Sequence, residues 1–170
     1  MNFKLIQWHI NGFLDNYTDL QLLINEKNPH LLSLQETHCN YLFNPVPPNG
    51  FSVYFGNSSC NLTNKQGLGV FIKSNSPHKE IQVNSNFQII ALEVTLNKKL
   101  TIISIYLPPS QSFTSIELIN IFQNITTPDF FQIYAYLIMA SRPTSQHIIH
   151  LHMLIFHAAH HLYTRFVNVQ

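Results

Sequence analysis

Two short stretches concentrate side chains able to do chemistry. One is Gln35-Glu36-Thr37-His38, which follows the apolar run Leu31-Leu32-Ser33-Leu34. The other is His9-Ile10-Asn11-Gly12, which follows the strand-like run Phe3 to Trp8. Each run delivers polar groups to the C-terminal end of a strand. The Glu36 carboxylate and the Asn11 amide oxygen are ligand types that a hard divalent cation takes. Gly12 lets the chain turn sharply after Asn11. Taken singly, Asn11 serves equally well in an Asn-Gly turn, and Glu36 as a solvated strand end. Their pairing at matching strand ends is what raises a metal site.

The intervening elements decide whether the two stretches meet. Asp15 to Lys27 carries Leu20, Leu23 and Ile24 at helical spacing. Asn28-Pro29 stops that helix, because the residue before proline avoids the helical region. Strand, helix, strand predicts a crossover unit whose two strands end on one sheet edge. Asn11 and Glu36 are then neighbours. After the loop from Pro45 to Gly50, strands are expected over 51–55, 67–73, 80–83, 87–96 and 100–107. Asn97-Lys98-Lys99 makes a hairpin turn between the last two. Residues 112–124 pattern as an amphipathic helix with Ile116, Ile119 and Phe122 on one face. Hairpins mixed with a crossover helix predict an α/β fold with mixed, mostly antiparallel sheets.

At 170 residues the chain suits one domain with a real core. Charged residues make up 10% of it, against a usual share of about 25%, and the net charge is +1. No basic field advertises nucleic-acid binding, so such a partner has to be argued from a site. Lys65, Lys73, Lys79, Lys98 and Lys99 can meet DNA phosphates. A Lys-Lys hairpin tip more commonly stays solvated and guards a strand edge. Cys39 and Cys60 form neither a disulfide framework nor a zinc motif. With no signal-peptide core and no apolar run of about 18 residues, the expected setting is intracellular, nucleus or cytoplasm, with no membrane contact. The glycosylation patterns at Asn16, Asn57, Asn61 and Asn124 are then chance in an Asn-rich chain.

Four stretches, taken in order, resemble the endonuclease/exonuclease/phosphatase family. They are Ile6-Gln7-Trp8-His9-Ile10-Asn11-Gly12, Leu34-Gln35-Glu36-Thr37-His38, Gly67-Leu68-Gly69-Val70-Phe71-Ile72 and Ile103-Ser104-Ile105-Tyr106-Leu107-Pro108-Pro109. Within that family the chain is most similar to the endonuclease domains of non-LTR retrotransposons of the jockey or LINE type. The resemblance covers residues 3–125. It implies an incomplete four-layer, DNase I-like α/β sandwich and an enzyme that nicks DNA to prime reverse transcription. It also implies that Glu36 holds Mg2+ (or Mn2+), that Asn11 lies at the metal and phosphate, that Tyr106 contacts the scissile phosphate, and that His38 sits at the substrate rim. In such enzymes the cation polarises the phosphoryl oxygen and steadies the leaving alkoxide. The phenol donates to the developing charge, and an Asp-His pair elsewhere activates water. On its own, Tyr106 reads as a core aromatic. The Pro108-Pro109 that follows favours the family role.

The departures from the family pattern bear on activity. His9 replaces the first Asn of its motif; an imidazole ligates a metal or bonds a phosphate, but with a different shape from an amide. After Pro128 the chain reads Asp129-Phe130-Phe131-Gln132-Ile133-Tyr134, with no Gly-Asp-x-Asn and no later Ser-Asp-His. From residue 129 onward only Asp129, Arg142 and Arg165 are formally charged, while His147, His150, His152, His157, His160 and His161 accumulate. A frame-shifted or mis-spliced tail over 126–170, after a partial domain over 1–125, would account for this change. The expectation is a degenerate endonuclease, inactive or impaired, with DNA as its ancestral partner. An incomplete sandwich also leaves apolar faces that self-associate. Another reading is a non-catalytic remnant binding zinc through the tail, where His157 and His161 share a helix face and His150 and His152 a strand face; against it, these are incidental histidines of an apolar segment. A phosphatase-like hydrolase of the same fold is a third reading, weakened by the missing acids.

Overall fold

A computed structural model describes residues 3–39, 46–56, 67–85, 87–97, 99–106, 114, 116–117, 120–121, 125 and 167–169. Lys65, Lys98, Pro108-Pro109, most of the expected 112–124 helix and the tail histidines lie outside these residues.

Strand alternation sorts the core into layers, since successive side chains face opposite sides of a sheet. In β1 (Leu5–His9) and β2 (Leu31–Gln35), Leu5 and Leu31 join one buried cluster. Ile6, Leu32 and Leu34 join another. The strands pair in parallel, from Leu5 opposite Leu31 to His9 opposite Gln35. Parallel neighbours need a crossover, and α1 (Tyr17–Lys27) supplies it. The helix begins two residues later than the sequence predicts. Residues 12–16 are held in turns instead, with Asn16 N–H donating to Gly12 O at 3.3 Å and Tyr17 N–H to Leu14 O at 3.4 Å. Asn28 ends α1 in the left-handed conformation, its N–H donating to Ile24 O.

The sheet grows on the far side of β2. There β4 (Leu68–Lys73) pairs antiparallel with β2, and β3 (Phe51–Phe55) pairs antiparallel with β4. A second sheet is antiparallel throughout, with β5 (His78–Ile81), β6 (Gln88–Thr95) and β7 (Lys99–Tyr106) in that spatial order. β5 starts before the predicted 80–83, because Thr95 N–H donating to Pro77 O extends the ladder toward Pro77. A strand that the sequence did not signal, β8 (Val167–Val169), runs parallel beside β1 and completes the order β3-β4-β2-β1-β8.

The two sheets pack face to face. Leu5, Leu31, Leu68, Val70 and Ile72 from one meet Ile90, Leu92, Val94, Ile102 and Tyr106 from the other. Each fully buried Leu or Ile here is worth about 1.5–3 kcal/mol. The outer face of the first sheet is covered by α1 through Leu20, with Phe13 and Phe71 stacked at 5.6 Å. The outer face of the second carries Ala91, Ile103 and Ile105 against Ile121 and Ile125. A buried polar contact crosses the inter-sheet core: the Ser33 and Ser104 hydroxyls lie 2.6 Å apart. Among the described residues no helix is long and apolar enough to cross a membrane.

Candidate metal and phosphate site

The site is built where β1 and β2 end together. Three backbone bonds continue their pairing past the last strand residues: Ile10 N–H to Gln35 O at 3.0 Å, Gly12 N–H to Glu36 O at 2.7 Å and Phe13 N–H to Thr37 O at 2.8 Å. The turn between them is clamped by Asn16, whose side-chain amide donates to Ile10 O at 2.9 Å and Gly12 O at 3.1 Å. Asn11, Glu36 and His38 all adopt positive φ, at 50°, 52° and 54°. Such conformations are uncommon outside glycine and gather at functional sites.

The backbone at Glu36 decides where its carboxylate goes. Leu31 and Ser33 face the second sheet, so simple alternation would turn Glu36 toward α1. The left-handed conformation breaks that alternation and returns the side chain to the inter-sheet side. There one oxygen, Oε2, stands 2.7 Å from His9 Nε2. The other, Oε1, accepts a long bond from Tyr106 Oη at 3.5 Å. His9 shares the inward-facing parity of Leu5 in β1, and Tyr106 ends β7 on the face opposite. Two side chains 97 positions apart in sequence, His9 and Tyr106, thus converge on one carboxylate.

The electrostatics are graded. The Glu36 side chain is 20% exposed and that of His9 45% exposed, so the pair opens to solvent. Tyr106 is 1% exposed. Burial first, then the Glu36 charge, then the hydrogen bond to Glu36 push its phenol up to about 12. It therefore stays a proton donor at neutral pH, as a group that stabilises developing negative charge must.

Close packing supports the Glu36 turn. Gly67, with φ of 153°, enters β4 beside Thr37, and a β-carbon there would stand 2.3 Å from Thr37 Oγ1. The carbonyl of Gly67 accepts from Thr37 N–H at 3.2 Å. Thr37 Oγ1 itself is buried without a hydrogen-bond partner. On the other side of the turn, a β-carbon on Gly12 would meet Asp15 Oδ2 at 3.1 Å and His38 Nδ1 at 3.6 Å.

The structure brings together Glu36, His9 and Tyr106 of the residues singled out from the sequence. Asn11 stands beside them, exposed on the turn. His38 lies against Gly12, on the Asp15 side of the turn. The supporting role of Asn16 went unread, although it had a usable signal, a short amide four residues past the glycine of an Asn-Gly turn. The donor set fits a divalent cation: a half-buried carboxylate with an imidazole at hand. In such a place the cation would be held by Glu36, with Asn11 nearby, and would supply charge stabilisation to a phosphoryl group. Among the described residues no group of three or more His, Cys, Asp or Glu gathers, so water and phosphate oxygens would complete the coordination.

No protein-family model and no curated protein matches the sequence. Solved structures do. AP endonuclease LMAP from Leishmania major superposes with a TM-score of 0.51 at 14% identity, over 64% of this chain and 41% of that one. The human Nocturnin catalytic domain with bound sulfate gives 0.51 at 18% identity, over 78% of this chain and 62% of that one. The endonuclease domain of TRAS1, a telomere-specific non-LTR retrotransposon, gives 0.48 at 12% identity, over 63% and 47%. The chain spans 41% and 62% of the lengths of the first two structures. Likeness at such identities speaks to architecture alone, and the architecture is clear: two face-packed sheets with their helical cover make this chain a DNase I-like α/β fold.

Proposed function

We propose that residues 1–125 are the metal- and phosphate-holding portion of a retrotransposon-type endonuclease, ancestrally cleaving DNA phosphodiesters with Mg2+ and now catalytically impaired. The observation that carries this reading is the Glu36 carboxylate held between His9 Nε2 and Tyr106 Oη at the common end of two strands. Glu36 holds the cation, Asn11 adds a metal or phosphate contact, and Tyr106 donates to the phosphate. The ordered motifs quoted above and the DNase I-like fold support the assignment.

The impairment in this reading is supported by residues 130–170, which carry no Asp or Glu to orient a water-activating histidine. General base catalysis contributes typically about 10²–10⁴-fold. A nicking assay on supercoiled plasmid with Mg2+, comparing wild type with Glu36→Ala, tests the proposal. Equal background nicking by both is expected, together with Mg2+ binding that only the wild type shows. Nicking that vanishes with Glu36→Ala would overturn the impairment. Mg2+ binding unaffected by Glu36→Ala would overturn the site.

A further inference from the structure

His9 sits at the end of β1 with its side chain nearly half exposed and Nε2 2.7 Å from Glu36 Oε2. The pairing of His9 with Gln35 and the bonds that follow it hold both strand ends in register. A nitrogen and an oxygen so placed nearly span two ligand positions of one ion. Ligands about 2.1 Å from a tetrahedral zinc stand about 3.4 Å apart, so an opening of about 0.7 Å admits the ion. The nitrogen changes which ion that is. Mg2+ takes oxygen ligands in near-octahedral geometry and gives up water reluctantly. Imidazole suits zinc, copper, iron and nickel, with affinity rising along the first-row series.

We infer that His9 and Glu36 form a mixed nitrogen–oxygen chelate that selects a first-row transition cation over Mg2+. The inference rests on Glu36 being the metal ligand of the proposed site. It adds His9 as the second ligand and changes the class of cation. The solvent-open side of the pair leaves the remaining positions to water or to a phosphate oxygen.

Calorimetric titration of the full chain with ZnCl2, MnCl2 and MgCl2 tests this, using wild type, His9→Asn and Glu36→Gln. His9→Asn is expected to weaken Zn2+ binding by about tenfold or more and to leave Mg2+ binding within about twofold. Glu36→Gln is expected to weaken all three ions. Zinc affinity equal in the three proteins would hand the binding to other histidines and overturn the inference. A loss of Mg2+ binding in His9→Asn as large as the loss of Zn2+ would also overturn it. Should His9→Asn not fold, pulsed electron paramagnetic resonance with Mn2+ on the wild type decides. A directly bound imidazole nitrogen that disappears in Glu36→Gln supports the chelate; no such nitrogen in the wild type overturns it. These readings are independent of cleavage. Zinc binding that needs His9 and Glu36 in a chain that binds no Mg2+ sustains the chelate while the Mg2+ site of the endonuclease reading fails. Mg2+ binding that needs Glu36, with zinc binding equal in wild type and His9→Asn, does the reverse.

Discussion

Glu36 is reached by an imidazole on one oxygen and a phenol on the other, and each contact has a measurable consequence. The Tyr106 phenol, pushed up to about 12 chiefly by burial, should be among the last tyrosines to ionise in a 13C-tyrosine NMR titration. Glu36→Gln removes the nearby charge but not the burial, so the value should fall and still lie above the ordinary 10. The sign for stability follows. The folded state keeps the proton that the unfolded chain releases, so stability declines as pH rises from about 10 through about 12. Tyr106 titrating with the exposed tyrosines would contradict the buried contact. Gly67→Ala should destabilise by about 1–3 kcal/mol in chemical denaturation, because its new methyl meets the buried Thr37 hydroxyl at the foot of the Glu36 turn. A variant as stable as wild type would deny that packing. The types of Glu36, His9 and Tyr106 and their order along the chain were legible beforehand. The contact between His9 and Glu36 was not, because it depends on a left-handed backbone at a glutamate that alternation would have aimed at the helix.

At the scale of elements the sequence was a good guide wherever β-branched and aromatic runs were bounded by glycine, proline or asparagine. The strand over Phe51–Phe55 stands where it was expected, and those over Leu68–Lys73, Gln88–Thr95 and Lys99–Tyr106 lie within a residue of expectation. Partition into two sheets was less legible. Which strand lies beside which is set by faces meeting at a distance, as with Ser33 and Ser104, 71 residues apart. That pair makes a sharp prediction. Either serine changed to alanine leaves a buried hydroxyl unpaired and should cost about 1–3 kcal/mol, while the double change should cost less than the sum. Strict additivity in a denaturation cycle would refute the bond. At the other end of β1, His30 Nδ1 accepts from Lys4 N–H at 3.0 Å and the ring stacks on Phe3. Burial, then Lys73, then Lys4 lower its pKa below 6.5. Because the fold disfavours the charged form, stability is full above 6.5 and is lost as pH falls below it. The melting temperature should drop between pH 7 and pH 5, and less so in His30→Asn, which keeps an acceptor that does not titrate. Equal drops in both proteins would remove His30 from the account.

Across the whole molecule, two face-packed sheets form a frame whose strand ends bring His9, Glu36 and Tyr106 together. Among the described residues Leu14, Leu22, Val46 and Ile116 are large apolar side chains left exposed, and we propose that the chain self-associates through such surface. Sedimentation velocity should show a concentration-dependent shift to larger species, and a monomer across the accessible range would contradict this. The central claim is that the common end of β1 and β2 is a metal site centred on Glu36. Mn2+ titrated into 15N-labelled chain tests it most directly, since a bound paramagnetic ion broadens nearby amide signals. The account predicts that His9, Asn11, Glu36 and Thr37 broaden first in the wild type and not in Glu36→Gln. Broadening confined to the histidines of residues 147–161, or identical in both proteins, would contradict it.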